Sequence, residues 1–221
     1  MQKLILGIAA VVLSASAGAV DFSGSVGYAS DYIWRGITKS NGEQIFNGSG
    51  RLAHDSGAYV NVNFFTGVDF PAATDQSQEL DYTVGFAKDV GDGLFGLDVG
   101  YTRHTYVGDE RDDAVGELHG AVSKGPANVT VYRVIGEDED QASYVVGSVS
   151  ATDLIKQEMP VDVSVFYGAQ LPVEDDDERV SDYGMVASLG IKDRGSLSYK
   201  LSKHSDDEEV THSVGIQLAF K

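Results

Sequence analysis

The 221-residue sequence contains no cysteine, and it has few basic residues for its many acids. Without cysteine, the chain has no disulfide to stabilise it. Sixteen Lys and Arg against 34 Asp and Glu give a formal net charge of −18. Nucleic acid is excluded as a partner, because binding phosphate backbones requires the opposite charge.

Long hydrophobic runs are also missing beyond the first residues. No later segment offers the run of about 18 apolar residues that a membrane-spanning helix needs, which excludes a helical membrane protein. At the N-terminus, Lys3 precedes an apolar run from Leu4 to Leu13, and Ala17-Gly18-Ala19 follows as an A-x-A cleavage site. This order predicts a secretory signal peptide at residues 1–19, cleaved after Ala19, and a mature domain at residues 20–221.

Alternation of apolar and polar residues with a period of two recurs through the mature chain and indicates β-strands. Leu80, Tyr82, Val84 and Phe86, for example, alternate with polar or small residues. The opposite face carries Gly, Ser, Thr, Asn and acids, as expected around a wet lumen. A soluble β-sandwich, which buries apolar residues on the inner faces of its sheets, fits this pattern less well.

Two kinds of connection between strands alternate along the chain. Tight turns, rich in Gly, Asp and Pro, are predicted at 54–57, 91–93, 124–126, 153–160 and 193–195. Longer, mostly acidic loops are predicted at 35–43, 69–78, 107–113, 136–141, 172–179 and 205–209. Six loops alternating with five turns predict an all-β fold: an up-and-down antiparallel transmembrane β-barrel of about twelve strands, with ten or fourteen as the tolerated error and the first strand paired with the last.

Two further features are typical of such barrels. The C-terminal Gly215-x-x-Leu218-x-Phe220 spacing resembles the signal read by the barrel-assembly machinery, although the chain ends on Lys221 and not on the aromatic residue. Aromatic residues near predicted strand ends, among them Tyr32 and Trp34, suggest interfacial girdles. Alternation predicts that these two side chains face lipid.

The segment Ser30-Asp31-Tyr32-Ile33-Trp34-Arg35-Gly36-Ile37-Thr38-Lys39-Ser40 resembles the opening motif, S-D-Y-x-x-R-G-x-[ST]-x-S, of the TorF-like family of proposed porins, also called Gcw_chp. The resemblance implies a barrel in the outer membrane of a Gram-negative bacterium. It implies no particular solute. If Asp31 and Arg35 lie on one strand they are about 13 Å apart and need partners elsewhere. They then belong either to a charge network near the outer mouth or to ordinary polar lumen lining.

Alternation also selects candidate pore-lining residues, which are polar and share the face opposite the apolar one. They are Asp31, Arg35, Asn47, Arg51, Asn61, Asn63, Asp81, Asp98, Glu117, His119, Asp162 and Lys200. Because acids outnumber bases among them, we expect passive diffusion of small hydrophilic solutes with weak cation selectivity. Bases that dominate a constriction would instead favour anions. Arg103 and Arg133 sit awkwardly in simple alternation, and neither is assigned to a face.

Acidic runs fill the predicted external loops, as at 109–113, 137–140, 174–178 and 206–209. They are either solvated faces or sites where divalent ions bridge to lipopolysaccharide. Outer-membrane lipid, lipopolysaccharide, the barrel-assembly machinery and a small hydrophilic solute are therefore the expected partners.

Two alternatives to a channel stay open. One is a plugged structural or adhesion barrel that presents its acidic loops to the outside. The other, less favoured, is a barrel enzyme of the protease or lipase type, although no G-x-S-x-G motif is present. The five histidines show no H-x-H or H-x-x-x-H pair and no phosphate-binding loop is found, so neither a metal site nor a cofactor is predicted.

Overall fold

A computed structural model of the chain describes residues 18–68, 77–107, 115–135, 143–155, 160–171 and 180–221. Most of the predicted signal peptide lies outside the described residues, as do the acidic runs at 109–113, 137–140 and 174–178. The first strand begins at Val20. In the described part of the chain, no helix is both long and apolar enough to cross a membrane.

The strands that form the barrel are β1 (Val20–Ala29), β4 (Ile45–His54), β5 (Ala58–Val68), β6 (Ser77–Val90), β7 (Phe95–Val107), β8 (Val115–Lys124), β9 (Ala127–Ile135), β10 (Ser143–Ser150), β11 (Val161–Leu171), β12 (Ser181–Gly190), β13 (Gly195–His204) and β14 (Val210–Phe220). Two short strands, β2 (Ile33–Trp34) and β3 (Ile37–Thr38), form a separate hairpin. A helix α1 (Ala151–Ile155) and a single 3₁₀ turn (Lys192–Arg194) are also present.

Each barrel strand pairs antiparallel with its neighbours in sequence, and β1 closes the sheet by pairing with β14. The closing register runs from Gly24 opposite Phe220 to Ala29 opposite Gly215. The twelve-stranded, up-and-down barrel and the pairing of first and last strands are thus confirmed. Closure leaves no open sheet edge. All strands can then pair their backbone groups with one another, as a sheet surrounded by lipid requires.

The two ends of the barrel differ. The start of β1 and the end of β14 lie at one end, together with the described tight connections, including α1 and the 3₁₀ turn; we call it the turn end. The other end, where β5, β7, β9 and β11 finish, is the loop end. The Gly91–Gly93 and Gly125 turns use positive φ angles that glycine adopts without strain.

The barrel is apolar outside and polar inside. Outward side chains include Phe46, Val99 and Tyr167, each more than half exposed. The buried residues, by contrast, are mostly polar or charged, among them Lys39 and Glu79. Since outward and inward residues alternate along every strand, this arrangement follows directly from the period-two pattern of the sequence.

Candidate functional site

Residues 30–44, between β1 and β4, form a hairpin that folds into the lumen; we call it the inner hairpin. Ile33 pairs with Thr38 and Trp34 with Ile37, so Arg35 and Gly36 form a two-residue turn. Their φ angles are +48° and +86°, as a type I′ hairpin turn requires. Arg35 is a non-glycine residue in the left-handed region, a conformation that surrounding contacts have to hold.

Asp31 stabilises the base of the inner hairpin through hydrogen bonds to its carboxylate. Its carboxylate Oδ1 accepts hydrogen bonds from the Thr38 hydroxyl at 2.5 Å and the Ser40 hydroxyl at 2.7 Å. The Lys39 backbone N–H donates to the Tyr32 carbonyl at 2.7 Å. The motif that runs from Ser30 to Ser40 therefore specifies one local structure, with its acid and hydroxyls at the base and Arg-Gly at the tip.

The inner hairpin crosses the lumen between opposite walls. On one side, Ser213 of β14 donates to the Asp31 carbonyl at 2.7 Å and Lys200 of β13 donates to the Ile33 carbonyl at 2.9 Å. On the other, the Arg35 guanidinium donates to Glu117 of β8 at 2.5 Å. In the order of strands around the barrel, β14 and β8 stand six places apart, which is diametrically opposite.

Two cations of the hairpin meet a group of acids on β6 and β8. Arg35 pairs with Glu117, and Lys39 Nζ lies 3.4 Å from Glu79, whose side chain is fully buried. His104 links the acids: its Nδ1 is 2.8 Å from Asp81 and 3.4 Å from Glu79, and its Nε2 is 3.8 Å from Glu117. We call Arg35, Lys39, Glu79, Asp81, His104 and Glu117 the ion network.

The inner hairpin supplies two positive charges, those of Arg35 and Lys39, that face the acids of the ion network. Three carboxylates face two hairpin cations and His104. Burial lowers the pKa of Lys39 from its ordinary value, while the charge of Glu79 opposes that change. Removing the hairpin would leave the acids with His104 alone, and buried charge without a partner is strongly unfavourable.

Aromatic side chains support the hairpin cations. The Arg35 guanidinium lies 4.4 Å from the Tyr144 ring centroid and 4.2 Å from that of Trp34. Lys39 Nζ lies 4.5 Å from the Trp34 ring. Tyr32 stacks on Phe65 of β5, with centroids 4.6 Å apart and planes within 7° of parallel. These contacts fix the hairpin laterally as well as electrostatically.

Tyr32 and Trp34 therefore lie in the lumen, and the prediction that they face lipid is wrong. Strand β1 ends at Ala29, before the alternation that suggested their orientation runs out. The chain leaves the wall there because Asp31, Thr38 and Ser40 offer its backbone a local turn structure instead of the sheet ladder.

A cavity of about 680 Å³ occupies the turn-end part of the lumen. Its polar lining includes Arg51, Tyr59, Asn61, Asp98, His119 and Thr130. Tyr59 donates to Asp98 at 2.9 Å, and the Arg51 guanidinium lies 3.7 Å from the Tyr59 ring centroid. The volume suits a small solute, and the lining is mostly polar, with Ala87, Leu97 and Ala121 as its apolar part.

The predicted pore-lining residues fall into four groups. Arg51, Asn61, Asp98 and His119 line the cavity, and Asn61 donates to Asn63 at 3.1 Å. Asp81 and Glu117 belong to the ion network, with Arg35 as hairpin partner. Asp31 and Lys200 anchor the hairpin. Asn47 is half-buried in β4, beside Gly27, and Asp162 is exposed at the start of β11, outside the cavity lining.

Sequence reasoning missed Lys39, Glu79 and His104. Glu79 shares the face of Asp81, and His104 shares that of Asp98 and Thr102, so alternation contains the signal for both. Lys39 carries no such signal, because it lies in residues 35–43, which the sequence predicts as an external loop. That prediction is wrong, since the segment folds into the lumen. Glu79, Asp81 and His104 place ligand atoms within 4.8 Å of one another, as a divalent ion would need. Here Lys39 already neutralises Glu79, and an ion would have to replace it.

Two partly buried lumenal histidines, His104 and His119, contact acids and a tyrosine. The contacts of His104 run to Asp81, Glu79 and Glu117. Those of His119 run to Tyr59 and Asp98. A serine hydrolase requires a histidine between a serine and an orienting acid, and these contacts do not provide that arrangement.

Comparison with known proteins agrees with this architecture. No curated protein matches the sequence. Among solved structures, a KdgM porin is similar with a TM-score of 0.59 at 8% identity, over 90% of this chain and 99% of the other. A KdgM porin in complex with disordered oligogalacturonate gives 0.57 at 8% identity, over 91% and 100%. A NanC porin gives 0.53 at 10% identity, again over 91% and 100%.

At such low identity these likenesses support the fold alone. The family assignment depends on the sequence. A family model matches residues 14–165, which is well over half of the chain and includes the whole inner hairpin. The chain belongs to the Gcw_chp family, described as bacterial proteins of unknown function.

Proposed function

We propose that the protein is an outer-membrane channel for passive diffusion of small hydrophilic solutes, and that the inner hairpin is its gate. The hydrophilic cavity at the turn end carries this proposal. A barrel that served only as a scaffold gains nothing from a hydrated chamber bordered by Arg51, Asn61 and Asp98, whereas a channel requires one. The apolar outer surface and closed sheet support placement in a membrane.

In this proposal the loop end faces the outside and the turn end faces the periplasm, as in bacterial barrels with short periplasmic turns. The predicted signal peptide delivers the chain, the terminal strand β14 engages the barrel-assembly machinery, and lipopolysaccharide surrounds the loop end. The cavity then opens toward the periplasm and the hairpin closes the outer half.

Cation selectivity follows from the ion network. When the hairpin moves aside, Arg35 and Lys39 leave with it, and Glu79, Asp81 and Glu117 remain on the wall around His104. Carboxylates at the narrow part of a wet pore attract cations. The open channel should therefore be cation-selective, although in the closed structure Arg35 and Lys39 offset the charge of these acids.

A plugged structural or adhesion barrel is the second candidate. The observation in its favour is that the hairpin is bonded to both walls, by Lys200 and Ser213 on one side and Glu117 on the other. Neither candidate includes a catalytic step.

Single-channel recording of the refolded mature protein in a planar bilayer, under a salt gradient, separates the two. We expect brief openings in the wild-type protein, with a reversal potential on the cation-selective side. A variant that lacks residues 33–38, replaced by two glycines, should be open nearly all the time. A correctly folded barrel that stays silent even without the hairpin would contradict the channel and favour the scaffold.

A further inference from the structure

Arg103 and Arg133 lie on the outer, lipid-facing surface of the barrel. Arg103 shares its face of β7 with Val99, and Arg133 shares its face of β9 with Val129 and Val131. All three valines are more than 40% exposed on the outer wall. The two arginines therefore face outward as alternation requires, and only their charge is unusual. They are two charged side chains among apolar residues.

Both arginines are close to the loop end. Arg103 is four residues from the end of β7 at Val107, and Arg133 is two residues from the end of β9 at Ile135. A lipid-facing arginine costs roughly 2–4 kcal/mol at the bilayer midplane but about 0–1 kcal/mol near the interface. At this depth the guanidinium groups can reach the headgroup layer while their aliphatic stems stay in the apolar band.

The two arginines belong to one patch. Arg103 stands opposite Gly116 on β8, and Arg133 stands opposite Leu118, two residues along the same strand. Strand spacing and rise per residue then put their Cα atoms about 12 Å apart. Two extended arginine side chains can span that distance to reach groups of a single headgroup.

Hydroxyl groups complete the patch. A Cβ placed on Gly116 would lie 2.6 Å from the Tyr101 hydroxyl, so the tyrosine covers this glycine and brings its hydroxyl beside Arg103. Arg133 donates to the Ser143 hydroxyl at 3.1 Å, and Ser143 stands opposite it on β10. Two guanidinium groups and two hydroxyls are donors suited to phosphate oxygens.

The outward positions around this patch carry no acid in the described parts of β6 to β10. They are Leu80, Tyr82, Thr105, Leu118, Val131, Ile135 and Val145. The chain as a whole carries a net charge of −18, which repels an anionic membrane surface. A local cationic patch is what such a chain needs to hold an anionic lipid against its wall.

Lys203 provides the contrast. It also faces outward near the loop end, on β13, but its ammonium donates to the backbone carbonyls of Asp207 and Glu209 in its own loop. The Lys203 ammonium is thus already hydrogen-bonded within the protein and does not belong to the arginine patch.

We propose that Arg103, Arg133, Tyr101 and Ser143 form a phosphate-binding site for lipopolysaccharide of the outer leaflet. The proposal depends on the outer-membrane location proposed above, but not on conduction through the lumen. It differs from divalent-ion bridging by the acidic loops, because the contacts are direct and survive a chelator.

The test measures thermal unfolding of the folded, detergent-solubilised barrel, followed by loss of its compact form on gels, with EDTA present. We expect lipopolysaccharide to raise the midpoint of the wild-type protein, because a ligand that binds only the folded state stabilises it. Arg103→Gln with Arg133→Gln should weaken the apparent affinity by about tenfold or more, as the loss of hydrogen bonds to a charged group implies. Lys203→Gln, the matched control, should bind as the wild-type protein does.

Three results would overturn the site: an unchanged affinity in the double variant, equal stabilisation by dephosphorylated lipopolysaccharide, or equal stabilisation by inorganic phosphate alone. If the double glutamine variant does not fold, Arg103→Lys with Arg133→Lys keeps the charge but loses the bidentate geometry. That variant should still distinguish phosphorylated from dephosphorylated lipopolysaccharide, with an affinity below that of the wild-type protein. Failure to distinguish them would also count against the site.

Discussion

The Arg35 guanidinium reaches across the barrel lumen to the Glu117 carboxylate, 2.5 Å away and 82 residues along the chain. Both side chains are largely buried, at 18% and 8% exposure. The pair joins the tip of the inner hairpin to the wall at β8. It is therefore the contact on which the closed position of the proposed gate should depend most.

Replacing Glu117 by Gln should open the gate. Arg35 would keep a neutral acceptor but lose its charged partner, and removing one partner of a buried ion pair typically costs about 3–5 kcal/mol. We expect the open fraction in single-channel recordings to rise at least tenfold, with a weaker cation selectivity because one of the three wall carboxylates is lost. Arg35→Glu combined with Glu117→Arg should restore closure in part. An open fraction equal to that of the wild-type protein in Glu117→Gln would show that the pair does not hold the hairpin.

A second substitution tests the gate without changing any charge. Gly36 has a φ of +86°, and a Cβ there would lie 2.6 Å from the Asp182 Cβ and 3.2 Å from His204. Gly42 has a φ of +75°, but a Cβ there meets nothing within 4 Å. Gly36→Ala should therefore push the hairpin from the wall and raise the open fraction, whereas Gly42→Ala carries similar backbone strain without the clash. Equal behaviour of the two variants would assign the effect to backbone strain alone.

The sequence was sufficient to predict the barrel, since its strands follow from local patterns. Alternation, as at Leu80 to Phe86, depends only on neighbouring residues, and the rhythm of turns and loops sets the number of strands. The lumenal face of Asp81, Asp98 and Glu117 follows in the same way. Glu79 and His104 carry the same signal, one alternate position before Asp81 and one after Thr102.

The inner hairpin could not be predicted by these means. From Tyr28 to Trp34 its sequence continues the alternation of β1, so it looks like strand. Local hydrogen bonds at its base turn the chain away from the wall. Contacts with residues far along the chain, such as Glu117, Lys200 and Ser213, then hold it in the lumen. Local periodicity contains no information about such partners. The Arg35-Gly36 pair was the available clue, because a glycine beside a polar residue often marks a two-residue hairpin turn.

If the cavity is part of the conducting path, changing its charge should change selectivity. Asp98 lines the cavity and its side chain is 37% exposed. In the Glu117→Gln background, Asp98→Asn should shift the reversal potential away from the cation side, because one fixed negative charge is lost from the water-filled path. Asp162→Asn is the comparison, since Asp162 is exposed at the turn end and outside the cavity lining. A larger shift from Asp162 would place the selective region at the mouth of the barrel.

Membrane placement can be tested on a single strand. Val165 lies near the middle of β11 and Leu171 at its loop end; both face outward and are 49% and 46% exposed. In lipid vesicles, Val165→Arg should lower the free energy of unfolding by about 2–4 kcal/mol, and Leu171→Arg by about 0–1 kcal/mol, because the cost of a lipid-facing charge falls toward the interface. Denaturant titration of the vesicle-inserted protein, read by tryptophan fluorescence of the lumenal Trp34, measures both. Similar small losses for the two variants would mean that water, and not hydrocarbon, covers the middle of the barrel.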